Sequence, residues 1–180
     1  MIIPPPGMER ILFTEEEIQA RIREVAGEIS AKYQGRPLKL VGVLKGSVFF
    51  LTALAREISI PHKIDFLAIS SFTSRSGPGV VRIAKDLDDP IEGEDVLLVE
   101  DIVDTGFTAR YLLRTLAGRE PNSLAICTLL DRTSSRIVQV PVEFRCFEIP
   151  DRFVVGFGLD YKQLYRNLGY VGVMNPDLAQ

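Results

Sequence analysis

Three carboxylates, a glycine and two threonines stand together in Glu100-Asp101-Ile102-Val103-Asp104-Thr105-Gly106-Phe107-Thr108, directly after the apolar run Val96-Leu97-Leu98-Val99. That run suits a strand buried on both faces. Thr105 to Ala117 reads as the helix behind it, ended by Gly118. The acids therefore fall in a loop between a strand and a helix. A helix start offers unpaired N–H groups and the positive end of its dipole, and both suit a phosphate. Gly106 allows close backbone approach, and Thr105 and Thr108 add hydroxyl donors. Acids beside a phosphate would repel it unless they had other work. Glu100 and Asp101 can bind ribose hydroxyls and hold Mg2+, a hard cation that prefers oxygen. Asp104 can then act as a general base. Capping the helix would need only one of the three.

Other chemistries are excluded. The loop lacks the Gly-Lys-Ser/Thr ending of a nucleotide P-loop, and no G-x-G-x-x-G occurs there. The net charge of −3 leaves no basic surplus for nucleic acid or anionic membrane. His62, expected on a loop after Pro61, is the only histidine, which rules against a zinc site and a Ser-His-Asp triad. Cys127 and Cys146 are far apart in apolar surroundings and read as buried, reduced thiols. No apolar run approaches the roughly 20 residues that span a bilayer. The start, Met-Ile-Ile-Pro-Pro-Pro, lacks the order of a signal peptide. The expectation is a cytoplasmic, single-domain chain of 180 residues.

The elements that must position the loop follow from periodicity. Thr14 to Ala31 reads as a helix capped by Thr14, with Ile18, Ile22, Val25 and Ile29 on one face. Leu38 to Leu44 reads as a strand, Gly46 to Ile58 as a helix and Lys63 to Ser71 as a strand. Val81 to Leu87, Leu124 to Leu130, Phe144 to Ile149 and Phe153 to Phe157 supply further strands. Strand and helix alternate, which predicts an α/β fold with a mainly parallel sheet. Ser71 to Val80 is rich in small polar residues and reads either as a surface loop or as a lid that closes over a site.

The acid-rich segment resembles the phosphoribosyl-pyrophosphate motif of the type I phosphoribosyltransferases: apolar strand, two acids, two apolar residues, Asp, Thr, Gly, any residue, Thr. Two further blocks narrow the likeness to the hypoxanthine(-guanine) branch. Val41-Gly42-Val43-Leu44-Lys45-Gly46-Ser47 is similar to that branch's pyrophosphate loop. Ile149-Pro150-Asp151-Arg152-Phe153-Val154-Val155-Gly156, followed by Leu159-Asp160-Tyr161, is similar to its purine-binding end. The resemblance implies a mainly parallel central sheet flanked by helices, with a small hood built from the chain ends.

It also implies roles. Lys45 and Gly46 would meet pyrophosphate, in a turn that often holds a cis peptide in this family. Glu100 and Asp101 would hold the ribose diol and its Mg2+. Asp104 would take the proton from purine N7. Thr105, Gly106, Phe107 and Thr108 would cradle the 5′-phosphate, with Phe107 contributing only backbone. Phe153 would stack on the purine, and the Val154 backbone would read its edge. Asp160 would stand near a second Mg2+, and Arg166 would reach the pyrophosphate. Two positions depart from the pattern. Arg132 stands where a lysine usually donates to the 6-oxo group, and Arg is not interchangeable with Lys. Ser71-Phe72 replaces the usual Ser-Tyr of the mobile loop. The implied substrates are phosphoribosyl pyrophosphate and a 6-oxopurine, hypoxanthine and/or guanine, and the implied assembly is a homodimer or homotetramer. A guanine–xanthine enzyme and an RNA-binding regulator on the same fold are the alternatives; the negative charge and the purine-end block oppose the regulator.

Overall fold

A computed structural model describes residues 7–72, 80–175 and 177 of the chain. In chain order the elements are β1 (Met8–Phe13), α1 (Glu15–Lys32), β2 (Leu38–Leu44), α2 (Ser47–Glu57), β3 (His62–Phe72), β4 (Val80–Lys85), β5 (Asp95–Val103), α3 (Phe107–Ala117), β6 (Ser123–Asp131), β7 (Phe144–Glu148), β8 (Val154–Val155) and β9 (Val171–Met174). A single 3₁₀ turn, Thr133–Ser135, follows β6. Among the described residues, no helix is long and apolar enough to cross a membrane.

Local chemistry starts the first helix as expected. The Thr14 hydroxyl accepts from the Glu17 amide at 3.3 Å, and the Glu17 carboxylate accepts from the Thr14 amide at 2.8 Å. This reciprocal box satisfies two donors at the helix start. Ile18, Ile22, Val25 and Ile29 are all buried.

Six strands form the main sheet in the order β4-β3-β2-β5-β6-β7. Every neighbouring pair is parallel except β3 and β4. Alternate residues of β5 serve the two faces. Leu97 and Val99 pack in the core with α1 and α2, while Val96 and Leu98 pack with Ala109, Leu112 and Leu116 of α3. From β2 the chain moves outward to β3 and β4, then returns to place β5 on the other side of β2. The strand order therefore reverses between β2 and β5. A crevice opens beyond the carboxyl ends of the strands at such a point.

A second, antiparallel sheet, β1-β9-β8, joins the two chain ends into the expected hood. Phe13 at the end of β1 stacks on Phe147 of β7, with ring centroids 4.0 Å apart, and so fixes the hood to the main sheet.

Several boundaries differ from the expectation. β5 continues through Asp101, Ile102 and Val103, because β6 goes on pairing with it as far as Val103 and Asp131. Only Asp104 of the three acids lies in the loop, and α3 begins at Phe107 rather than Thr105. Gly118 ends α3 in a right-handed conformation, with φ −66°. The strand expected over Phe153 to Phe157 shrinks to Val154–Val155, since the chain turns at Gly156, φ +103°. His62 opens β3 instead of lying on a loop. Cys127 and Cys146 are buried free thiols, as expected. The candidate lid, Ser71 to Val80, lies mostly outside the described residues; its ends Phe72 and Val80 pair where β3 meets β4.

Candidate active site

The crevice between β2 and β5 holds a cavity of about 320 Å³. Leu44, Lys45 and Gly46 line it from the end of β2, and Glu100, Asp101, Asp104, Thr105, Gly106 and Thr108 from β5 and the start of α3. The sheet topology thus brings eight of the expected site residues to one place.

Gly46 lies directly against Asp101. A Cβ on Gly46 would sit 1.6 Å from Asp101 Oδ2, so any larger residue would push the Asp101 carboxylate out of its place. The preceding Leu44–Lys45 peptide is cis, and the Lys45 side chain is exposed. Asp101 Oδ1 accepts from the Ile102 amide at 2.9 Å. Glu100 is 5% exposed, and its Oε1 is buried with no hydrogen bond. Burial pushes the Glu100 carboxyl well above the usual carboxylate range, and the neighbouring Asp101 charge adds to this. Burial also raises Asp101, against the pull of its backbone hydrogen bonds and of Arg166.

Such a pair suits a divalent cation. Two adjacent acids with an unsatisfied buried oxygen lack positive charge, which a hard cation supplies through oxygen ligands. Asp160 does not complete a protein cage. Its Oδ1 pairs with Arg166 Nη2 at 2.7 Å, and its Oδ2 accepts from the Gln163 amide at 2.8 Å. Among the described residues, no three His, Cys, Asp or Glu side chains gather as a metal cluster. Mg2+ commonly uses one or two carboxylates and completes its shell with substrate phosphates and water.

Asp104 is held on one side only. Its Oδ2 accepts from Arg132 Nη1 at 3.1 Å, while Oδ1 is buried without a partner. Arg132 spans further, donating from Nη2 to the Arg152 carbonyl at 2.6 Å. It therefore links Asp104 to the residue before Phe153. The Phe153 ring is 40% exposed and meets Tyr161 edge to face at 5.8 Å. Val154 is buried and paired with Val173 of the hood. Arg132 and Phe153 line a neighbouring groove of about 420 Å³ rather than the main cavity. Phe107 is 55% exposed and turns its side chain to the outer face of α3, so it does not line the main cavity.

Arg166 donates from Nη1 to the Gly158 carbonyl at 2.7 Å. Gly158, at φ +101°, presses on the Lys45–Gly46 turn: a Cβ there would lie 2.0 Å from the Gly46 carbonyl oxygen. Sequence reading missed Gly158, although Gly156-Phe157-Gly158 is a visible sign of unusual backbone. It also missed Arg136, Ile137 and Val138, whose bonds to the loop after β5 are non-local.

The family model described as phosphoribosyl transferase domain matches residues 11–162. A hypoxanthine-guanine phosphoribosyltransferase from Mycobacterium avium is 48% identical, over 98% of this chain and 90% of its own. The chain belongs to the hypoxanthine(-guanine) branch of the phosphoribosyltransferases. A hypoxanthine phosphoribosyltransferase from Salmonella typhimurium is 52% identical, over 90% of this chain and 93% of its own. The crystal structure of a hypoxanthine phosphoribosyltransferase from Staphylococcus aureus superposes with a TM-score of 0.92 at 41% identity, covering 97% of this chain and 95% of that one. The sheet with its reversal between β2 and β5 is thus the type I phosphoribosyltransferase fold.

Proposed function

We propose that this cleft moves the 5-phosphoribosyl group from phosphoribosyl pyrophosphate to hypoxanthine and/or guanine, giving IMP and/or GMP and pyrophosphate. The observation that carries the assignment of roles is Asp104, fixed by Arg132 and 42% exposed in the cavity beside Thr105, Gly106 and Thr108. The whole chain is read as one phosphoribosyltransferase domain, working in the cytoplasm as a homodimer or homotetramer.

Thr105, Gly106, Phe107 and Thr108 receive the 5′-phosphate at the start of α3, where first-turn N–H groups have no partner within the helix. Glu100 and Asp101 bind the ribose hydroxyls. Enzymes of this kind generally depend on Mg2+. Glu100 and Asp101 are the residues that would hold it, with Asp160 nearby, and its charge would offset that of the leaving pyrophosphate. Lys45, Gly46 and Arg166 receive the pyrophosphate. Phe153 stacks on the purine, the Val154 backbone reads its edge and Arg132 donates to its 6-oxo group. As N9 of the base joins C1 of the ribose, Asp104 accepts the proton from N7. Charge on the separating groups is met by donors already in place, which is the main way such a site lowers a barrier.

The test is a turnover assay with phosphoribosyl pyrophosphate, Mg2+ and each of hypoxanthine, guanine, xanthine and adenine. Hypoxanthine or guanine is expected to turn over, with little use of adenine. Xanthine and guanine above hypoxanthine would place the chain with the guanine–xanthine enzymes. Preference for adenine, or turnover of no base by folded protein, would overturn the reading.

A further inference from the structure

The backbone that carries Asp104 and the phosphate cradle is gripped from behind by one segment, Arg132 to Val138. The Arg132 amide donates to the Val103 carbonyl at 2.9 Å. Arg136 Nε donates to the Asp104 carbonyl at 2.8 Å, and its Nη2 to the Val103 carbonyl at 3.3 Å. The amides of Ile137 and Val138 both donate to the Thr105 carbonyl, at 3.0 and 2.9 Å. The Gly106 carbonyl is taken within α3 by the Arg110 amide at 2.9 Å. Every carbonyl from Val103 to Gly106 is thereby tied to protein. In a planar trans peptide the C=O and the following N–H point in opposite directions. Fixing the carbonyls of Val103, Asp104 and Thr105 therefore turns the amides of Asp104, Thr105 and Gly106 to the opposite side.

Arg136 is itself locked. Its side chain is 8% exposed and forms a buried ion pair with Asp131, the last residue of β6 and itself 3% exposed. Asp131 has a second partner, the half-exposed Arg145, at 3.1 Å. The fit leaves no slack, because a Cβ on Gly106 would lie 2.2 Å from the Val138 carbonyl oxygen and 3.0 Å from Arg136 Cδ. Neither Asp131 nor Arg136 lines the main cavity.

We propose that Arg136, braced by Asp131, is a positioning residue: it aims the amides of the 104–106 loop at the 5′-phosphate and sets where Asp104 stands. The fork of the guanidinium is what the task needs, since one group must bond two carbonyls and a carboxylate at once. This rests on the reading of the cleft as a phosphoribosyl site, so the experiment first measures the parent protein. Ribose 5-phosphate probes the cradle, and pyrophosphate with Mg2+ probes the Lys45–Gly46 end of the same cleft. Both are titrated calorimetrically into the parent and into Arg136→Lys, which keeps a charge for Asp131 but loses the fork. The affinity for ribose 5-phosphate is expected to fall roughly tenfold or more while that for pyrophosphate stays within about twofold. Arg145→Ala should change neither. Should Arg136→Lys not fold, the paired exchange Asp131→Asn with Arg136→Gln removes both buried charges together and is read in the same way. Equal losses for both ligands would reduce Arg136 to a general structural role, and no loss would remove it altogether. A parent that binds no ribose 5-phosphate would overturn the site reading and the proposal with it.

Discussion

Asp104 takes an arginine on one carboxylate oxygen and leaves the other without a partner. Arg132 thereby fixes the side chain, which lines the cleft and is 42% exposed, so a positioned carboxylate faces the cavity as a general base requires. Asp104→Asn keeps the size and the oxygen that Arg132 binds but removes the basicity. It is expected to lower kcat by roughly 10² to 10⁴ with KM for both substrates changed only a few fold, as steady-state kinetics will show. Unchanged turnover would take Asp104 out of the base role. The two thiols sit at the other extreme of reactivity. Burial pushes Cys146 up to about 12 and holds Cys127 well above the ordinary thiol range. A raised thiol stays protonated below its own value, so at pH 8 only about one Cys146 in 10⁴ is thiolate. Iodoacetamide should therefore leave both cysteines unmodified in the native protein and alkylate both in denaturant, as intact-mass measurement will record.

Between the elements, the outer hairpin is anchored by charge as well as by its ladder. Arg119, just after α3, makes a two-pronged bond to Asp86, just after β4, at 2.8 and 2.9 Å. The Arg119 hydrogen bonds hold the Asp86 carboxyl below its usual value. A depressed acid adds stability that is complete above its unfolded value, about pH 4, and is lost as pH falls through the folded one. Asp86 is half-exposed, so the pair is worth no more than about 1 kcal/mol. Asp86→Asn should therefore lower Tm by about 2–4 °C at most at pH 7, with the two melting curves converging toward pH 2. A gap that persists in acid would mean that packing, not charge, is the cause. The same scale explains what the sequence reveals and hides. The strand before the acids, the helix after them and the capped α1 are legible because each is set by neighbours in the chain. The acids themselves conceal the last turns of β5. Their polarity reads as loop, and only the pairing of Ile102 with Leu130 and Val103 with Asp131 keeps them in the strand. β9 is too short for periodicity to show, β8 is legible but shorter than expected, and β1 gains its partner from residues near the other end of the chain. The site is legible to the same extent. The motifs name Lys45 and the 100–108 segment, but not Arg136 or Gly158, whose partners lie in distant parts of the chain.

At the scale of the whole molecule, the ends of β2 and β5 and the start of α3 line the cleft, and the hood meets its rim at the Lys45–Gly46 turn. Phe13 on Phe147 fixes one side of the joint between hood and main sheet. The other is the contact of Gly158 with Gly46, and Arg166, paired with Asp160, donates to the Gly158 carbonyl. Gly158 stands at φ +101°, a region that side chains with a Cβ rarely enter. An added Cβ would also meet the Gly46 carbonyl oxygen at 2.0 Å, and that oxygen is backbone and cannot swing aside. Gly158→Ala must then lift the hood loop from the turn, and Arg166, bonded to the Gly158 carbonyl, moves with it. Displacement of about 1 Å in a catalytic site costs up to about 10² in rate. The expected result is a rise in KM for phosphoribosyl pyrophosphate and a fall in kcat approaching that size. The affinity of the cradle for ribose 5-phosphate should be nearly unchanged, because β5 and α3 do not move with the hood. Loss of ribose 5-phosphate binding as well would mean that the joint supports the whole cleft rather than its pyrophosphate end.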